Sequence, residues 1–246
     1  MIPSAHHPDT RALAALILGA VLIGFAPIFV RLTDVGWSAV GFWRALLSLP
    51  LLAAVCAQSG GFGFLRQPGT SRLLLAGACF GLDLLFWHQG IRFSSVANAT
   101  LLTNLAPVFV ALYAYVLTGE RQTRGFMAGL LLALAGAALL VSNSLRLSLE
   151  TVKGDALGTT SAVFYAGYLF IIARSRANYS AAQVMLISTF AAGLVCGAAA
   201  LAAGDTLLPQ SLRGWAVLLG LAWLSHCAGQ GSIAWALAHL PAAFSA

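Results

Sequence analysis

The chain has 246 residues, 60% of them hydrophobic and 8% charged, with a net charge of +6. Soluble domains average about 25% charged and 45–50% apolar residues, so this composition excludes a water-soluble globule and makes lipid the solvent for most of the surface. The thirteen Lys and Arg stand at the ends of apolar runs rather than in clusters, which fits headgroup contact and membrane orientation rather than a nucleic-acid partner.

A short polar tail, Met1 to Arg11, carries His6, His7 and Asp9. The first apolar run, Ala12 to Val30, ends at Arg31. A cleaved signal peptide is the competing reading. It fails because the run is too long, has no obvious cleavage site and is followed by many more spans. Pro27 lies inside this run and is expected to bend or loosen the helix. The second run, roughly Ala39 to Ala57, contains Arg44 and Pro50. After the glycine-rich loop Gln58 to Arg72, the third run, Leu73 to Ile91, contains Asp83 and His88. A small polar break, Arg92 to Ser95, leads to the fourth run, Val96 to Leu117, which has no charge. At about 1.5 Å per residue, such a run crosses a bilayer core. It holds Asn98, Asn104 and Pro107, which are tolerated at membrane depth where they face protein or a water-filled cavity.

The fifth run covers about Gly125 to Val141, and Ser142 to Asp155 reads as a polar connector. The sixth, seventh and eighth runs are Ala156 to Ala173, Ala182 to Ala203 and Gly214 to Ala238. A membrane barrel would alternate apolar and polar residues. These runs are continuous and rich in Ala and Leu, so the fold class is all-α integral membrane protein. Gly77/Gly81, Gly125/Gly129 and Gly193/Gly197 have the small-xxx-small spacing that allows close helix approach. Cys56, Cys79, Cys196 and Cys227 fall in apolar runs without CxxC spacing and read as small buried residues.

The two halves resemble each other. AVLIGFAPIFVR at Ala20 to Arg31 aligns with VFYAGYLFIIAR at Val163 to Arg174, and Trp87 to Asn98 aligns with Trp235 to Ala246. Repeats of five spans must lie in opposite orientations, a transporter signature with substrate near the midplane at the repeat interface. The expected domains are residues 1–143, a complete five-helix repeat, and 152–246, a repeat that stops at the start of its fourth helix. A ten-helix pattern would hold about two helices more. Arg11, Arg66, Arg72, Arg121, Arg124, Arg174 and Arg176 fall on the side of the N-terminus, against five basic residues opposite, so the N-terminus is expected in the cytoplasm.

Several residues could carry chemistry. Arg44 is either functional or snorkels to the interface. Asp83 shares a helix face with Trp87. It is either a titratable cavity group or a carboxyl paired with Arg44 or hydrogen-bonded while protonated. His88 and His226 lack the paired spacing of metal or haem ligands and read as cavity lining or interhelical bonding. Trp223, His226 and Gln230 form one stripe, and Ser161, Tyr165 and Tyr168 another. Each is either packing or the wall of an amphiphilic ligand site. Asn98 and Asn104 could add hydrogen bonds.

Two stretches carry a family resemblance. LAPVFVALYAYVLTGER, with Pro107 twelve residues before Gly119 and the Gly119-Glu120-Arg121 exit, resembles the fourth helix of the EamA-like branch of the drug/metabolite transporter superfamily. FWHQGIRFSSVANATLLTNLAPVF and HCAGQGSIAWALAHLPAAFSA resemble YddG-type aromatic amino acid exporters. The resemblance implies ten helices in two inverted repeats in the bacterial inner membrane. It also implies a monomer that exports aromatic amino acids and related amphiphilic metabolites by alternating access, with Pro27 and Pro107 as bending points. No P-loop pattern is present, so no nucleotide cofactor is expected. The competing readings are a transporter of a different small metabolite or drug, a structural or interaction subunit, which would need no buried charge and no inverted repeat, and a membrane-embedded enzyme using Asp83 with His88 or His226, which lacks an HExxH or paired-Asp motif.

Overall fold

The computed structural model describes residues 10–142 and 149–240. The tail with His6, His7 and Asp9, the centre of the expected connector and the last residues of the Trp235 to Ala246 alignment lie outside the described residues. Every regular element among the described residues is helical. Among the described residues, six spans are long and apolar enough to cross a membrane.

Two of these spans are broken. The first consists of α1 (Thr10–Gly24) and α2 (Ala26–Leu32), with Pro27 in the first turn of α2. A proline there lacks only an N–H that the helix start leaves unpaired anyway. Pro27 therefore begins a new helix rather than kinking a continuous one. The fourth span repeats the device: α5 (Val96–Thr103) stops, and α6 (Ala106–Thr118) starts with Pro107 in its first turn. By contrast α3 (Trp37–Gln58) runs through Pro50 without interruption. The third span is α4 (Thr70–Phe93), and the fifth expected run is α7 (Arg124–Ser142).

The expected connector needs correction. The sixth helix, α8, begins at Leu149 and continues to Ser175. The polar residues that suggested a loop are its first turns, and they are anchored. Lys153 Nζ lies 4.0 Å above the Phe93 ring, and Asp155 Oδ1 accepts a 3.0 Å hydrogen bond from Ser94 Oγ. The seventh run is α9 (Ala181–Ala203), opened by a capping box between Ser180 and Gln183. The eighth run is helical in three pieces: α10 (Leu212–Gly220), a π-helical segment Leu221–Gln230, and α11 (Gly231–Ala236). It is not among the six spans counted above, and the π segment holds both His226 and Gln230.

The helices pair in a regular way. α4 packs on α8 and α9, α3 packs on α9, and the eighth run packs on α1 and α3. Two of the three glycine pairs carry these contacts. A Cβ on Gly77 would overlap the Ser188 backbone and lie 2.6 Å from Ala191 Cβ, and one on Gly81 would come within 2.8 Å of Val195 Cβ. Gly193 and Gly197 meet Ala45 and Phe42 of α3. Gly125 and Gly129 have open space around them, so that spacing serves no close approach among the described residues. A pair not singled out from the sequence, Gly154 and Gly158 on α8, seats that helix against Ser94 and Ala99. Leu131, Leu132, Leu139 and Leu201 are exposed on the outward faces, as lipid contact requires.

One end of the bundle is tied by carboxylates. Asp205 Oδ2 accepts from the backbone N–H of Ser38 at 2.7 Å and of Ala39 at 3.2 Å, capping α3 from across the fold. Asp34 Oδ2 accepts from Ser211 Oγ at 2.9 Å and Gln210 N at 3.1 Å. Trp43 Nε1 donates to the Leu207 carbonyl at 2.5 Å.

Candidate functional site

A cavity of about 320 Å³ lies where the two broken spans meet α3, α4, α8 and the last run. Gly24, Ala26 and Pro27 contribute from the first break, and Thr100, Thr103 and Asn104 from the second. Irregular backbone at membrane depth is stable only where it is buried in protein or borders a polar space, and both breaks border this one. A larger groove of about 590 Å³ between α3, α4 and α9 has only Thr70 as a polar lining residue. It holds no group that could orient a polar solute, so the smaller cavity is the candidate site.

Two side chains of opposite formal charge enter the cavity wall. Arg44 is only 3% exposed, so it does not snorkel to the interface. Its guanidinium lies 5.5 Å over the Phe80 ring, and Nε has no hydrogen-bond partner. Asp83 is 5% exposed, and its Oδ1 accepts a 2.5 Å hydrogen bond from Ser161 Oγ. Thr103 Oγ1 lies 3.0 Å from the same Ser161 hydroxyl, so a short hydroxyl chain ties α5 and α8 to the carboxyl. No ion pair joins Arg44 to Asp83. The one ion pair among the described residues is the exposed Arg174–Glu120 contact.

The remaining expected residues fall into three groups. Trp87, Asn104, Tyr165 and Gln230 line the cavity together with Asp83 and Arg44. Trp87 Nε1 donates weakly to Thr100 Oγ1 at 3.4 Å, and Gln230 Nε2 donates to Tyr165 Oη at 3.2 Å. Tyr168 and His226 form a second layer behind Phe80, stacked on it at 4.7 and 5.4 Å between ring centres. His226 Nε2 shares a 2.7 Å hydrogen bond with Thr189, and Tyr168 Oη points to Met185. His88 and Asn98 are buried outside the cavity wall. His88 Nδ1 donates to the Trp37 carbonyl at 3.0 Å, while His88 Nε2 and Asn98 Oδ1 lack partners. Pro107 starts α6 but does not line the cavity, whereas Pro27 does. Trp223 is 52% exposed and sits on the outer face.

Sequence reasoning missed Phe80, Thr100 and Thr103. The threonines stood in view, in a hydroxyl-bearing stretch just before a mid-membrane proline. Phe80 gave no such signal: it is one of fourteen phenylalanines, and only tertiary structure makes it the plate that Arg44, Tyr168 and His226 share.

The model of the EamA-like transporter family matches residues 10–142. Among curated proteins, the pseudopaline exporter CntI of Pseudomonas aeruginosa is 28% identical over 184 residues, covering 75% of this chain and 63% of the exporter. The aromatic amino acid exporter YddG of Ancylobacter novellus is 29% identical over 162 residues, covering 61% of this chain and 56% of the exporter. The chain thus spans less than two thirds of the length of these relatives. One protein of known crystal structure superposes with a TM-score of 0.73 at 20% identity, covering 94% of this chain and 82% of the other, which speaks to the fold alone.

Proposed function

Since the chain belongs to the EamA-like transporter family, we propose that it exports a small amphiphilic solute, aromatic amino acids first, by alternating access through the cavity between its broken spans. The observation that carries this reading is the pairing of Arg44 and Asp83 with the aromatic faces of Phe80, Trp87 and Tyr165 around a space of about 320 Å³. That volume lies at the small end of ligand sites, roughly 300–1,000 Å³. The relatives named for export of pseudopaline and of aromatic amino acids support the same direction of transport. An enzyme reading gains nothing: His88 and His226, its expected partners for Asp83, stand outside the cavity wall.

The architecture we infer is an inverted repeat, residues 1–143 against an incomplete 152–246. The helix pairing supports it. If α1–α2 corresponds to α8, α3 to α9 and α4 to the last run, then two pairings have their mirrors: α4 on α8 with the last run on α1, and α4 on α9 with the last run on α3. α3 and α9 would then meet across the pseudo-twofold. We place the protein in the bacterial inner membrane with a cytoplasmic N-terminus. A reporter fused in the 143–148 region should then signal from the far side, and a cytoplasmic signal would reverse the orientation.

The transport reading is tested with the intact protein in liposomes preloaded with radiolabelled Phe, Trp or Thr. Phe and Trp should leave faster than Thr and faster than from preloaded liposomes that lack the protein. Failure of every amino acid to move would count against the proposal.

A further inference from the structure

Arg44 and Asp83 raise a problem that the cavity alone does not solve. A guanidinium with no acceptor and a carboxyl with one hydroxyl partner are both more than nine-tenths buried, yet no ion pair joins them. Leaving a buried charge without a partner is costly. Elsewhere a carboxylate is better satisfied: Asp205 takes two backbone hydrogen bonds at one end of the bundle. The two cavity groups are therefore held apart and incompletely paired, in the one place where a solute can reach both.

We propose that this pair recognises the two ends of a zwitterionic α-amino acid, Arg44 taking the carboxylate and Asp83 the ammonium. The assignment rests on the transporter reading above and adds the recognition chemistry to it. Arg44 Nε has no partner and no guanidinium hydrogen bond is found among the described residues, so the guanidinium is left to meet a carboxylate, the partner its fork geometry matches. Phe80 lies 5.5 Å from the guanidinium carbon and takes up none of its donors. Ser161 occupies only Oδ1 of Asp83 and leaves the other oxygen for an ammonium. The aromatic ring of the solute would lie among Trp87, Tyr165 and Leu84. Only a solute with both charges satisfies both groups. An amine alone strands Arg44, and an acid alone strands Asp83.

The test uses three probes of nearly the same shape: L-phenylalanine, phenethylamine, which lacks the carboxylate, and 3-phenylpropionate, which lacks the ammonium. In proteoliposomes of the intact protein, each unlabelled probe competes with efflux of labelled phenylalanine. Phenylalanine should compete at concentrations about 100-fold lower than either analogue, because a site built for a polar group rejects the analogue that lacks it. Arg44→Gln should weaken phenylalanine by a similar factor and bring phenethylamine to within about threefold of it, while 3-phenylpropionate stays excluded. Asp83→Asn should do the reverse. The wild-type series needs no variant to fold, so it decides the matter alone. If phenylalanine moves but both analogues compete as well as it does, the zwitterion assignment is overturned and the transport reading stands. If no amino acid moves at all, the transport reading falls and takes this assignment with it.

Discussion

The two faces of α4 are built on opposite rules. On one, Gly77 and Gly81 bring the helix against α9 so closely that an added Cβ would strike the Ser188 backbone or come within 2.8 Å of Val195. On the other, Phe80, Asp83, Leu84 and Trp87 stand around a cavity, with Arg44 opposite. In lipid, helices gain little from hiding apolar surface from one another, so close packing of small residues is what holds a bundle together. The packed face supplies rigidity, and the cavity face can therefore leave polar groups short of partners. The difference predicts that substitutions on the first face act on folding, and those on the second act on transport in protein that still folds.

Gly77→Leu should have the largest effect. The side chain has no room against Ser188 and Ala191, so α4 and α9 must separate. Overpacking of this kind costs about 3 kcal/mol. The measured result should be loss of monodisperse protein in detergent and a clear fall in Tm for whatever remains. Wild-type yield and Tm would erase the contrast between the faces.

Phe80→Leu belongs to the second face. It removes the ring 5.5 Å from the Arg44 guanidinium and the stacking partner of Tyr168 and His226. A desolvated cation–π contact is worth up to about 2 kcal/mol. Phenylalanine efflux should fall roughly tenfold, with the half-saturation concentration rising more than the maximal rate falls, if Phe80 acts by orienting Arg44. A loss of yield with unchanged transport per folded molecule would move Phe80 to the packed face.

Thr103→Val is a smaller step in the same direction. It keeps the shape and removes the hydroxyl 3.0 Å from Ser161 Oγ, leaving Ser161 to hold Asp83 without support from α5. A hydrogen bond of this kind contributes about 1 kcal/mol, so efflux should drop about fivefold. An unchanged rate would show that Ser161 positions Asp83 by itself.

Much of this arrangement was legible in the chain. Run lengths and the absence of alternation gave the helices, and the charges of Arg44 and Asp83 inside apolar runs marked the two groups that now line the cavity. Pro27 and Pro107 marked where two spans break, because a missing N–H is a local property. What could not be read was local chemistry that depends on a neighbour. The eighth run has no proline at its π segment, so nothing in the sequence announced that change of winding. The polar start of α8 read as a connector because its partners, Ser94 and Phe93, belong to another helix. Tyr168 and His226 had the spacing of a lining stripe, but spacing does not say which side of Phe80 a residue lies on.

The smallest effect sharpens the comparison from the other side. Gly125 and Gly129 have the same spacing as Gly77 and Gly81, yet a Cβ at either would meet nothing within 4 Å. Spacing alone therefore does not make a packing seam; a neighbouring backbone does. Gly129 lies inside α7, where alanine is the better helix former by about 0.5–1 kcal/mol. Gly129→Ala should leave yield and efflux unchanged and hold or slightly raise Tm. A marked loss of folded protein would mean that this face of α7 meets a second backbone after all, and that α7 is built like the packed side of α4 rather than as a lipid-facing helix.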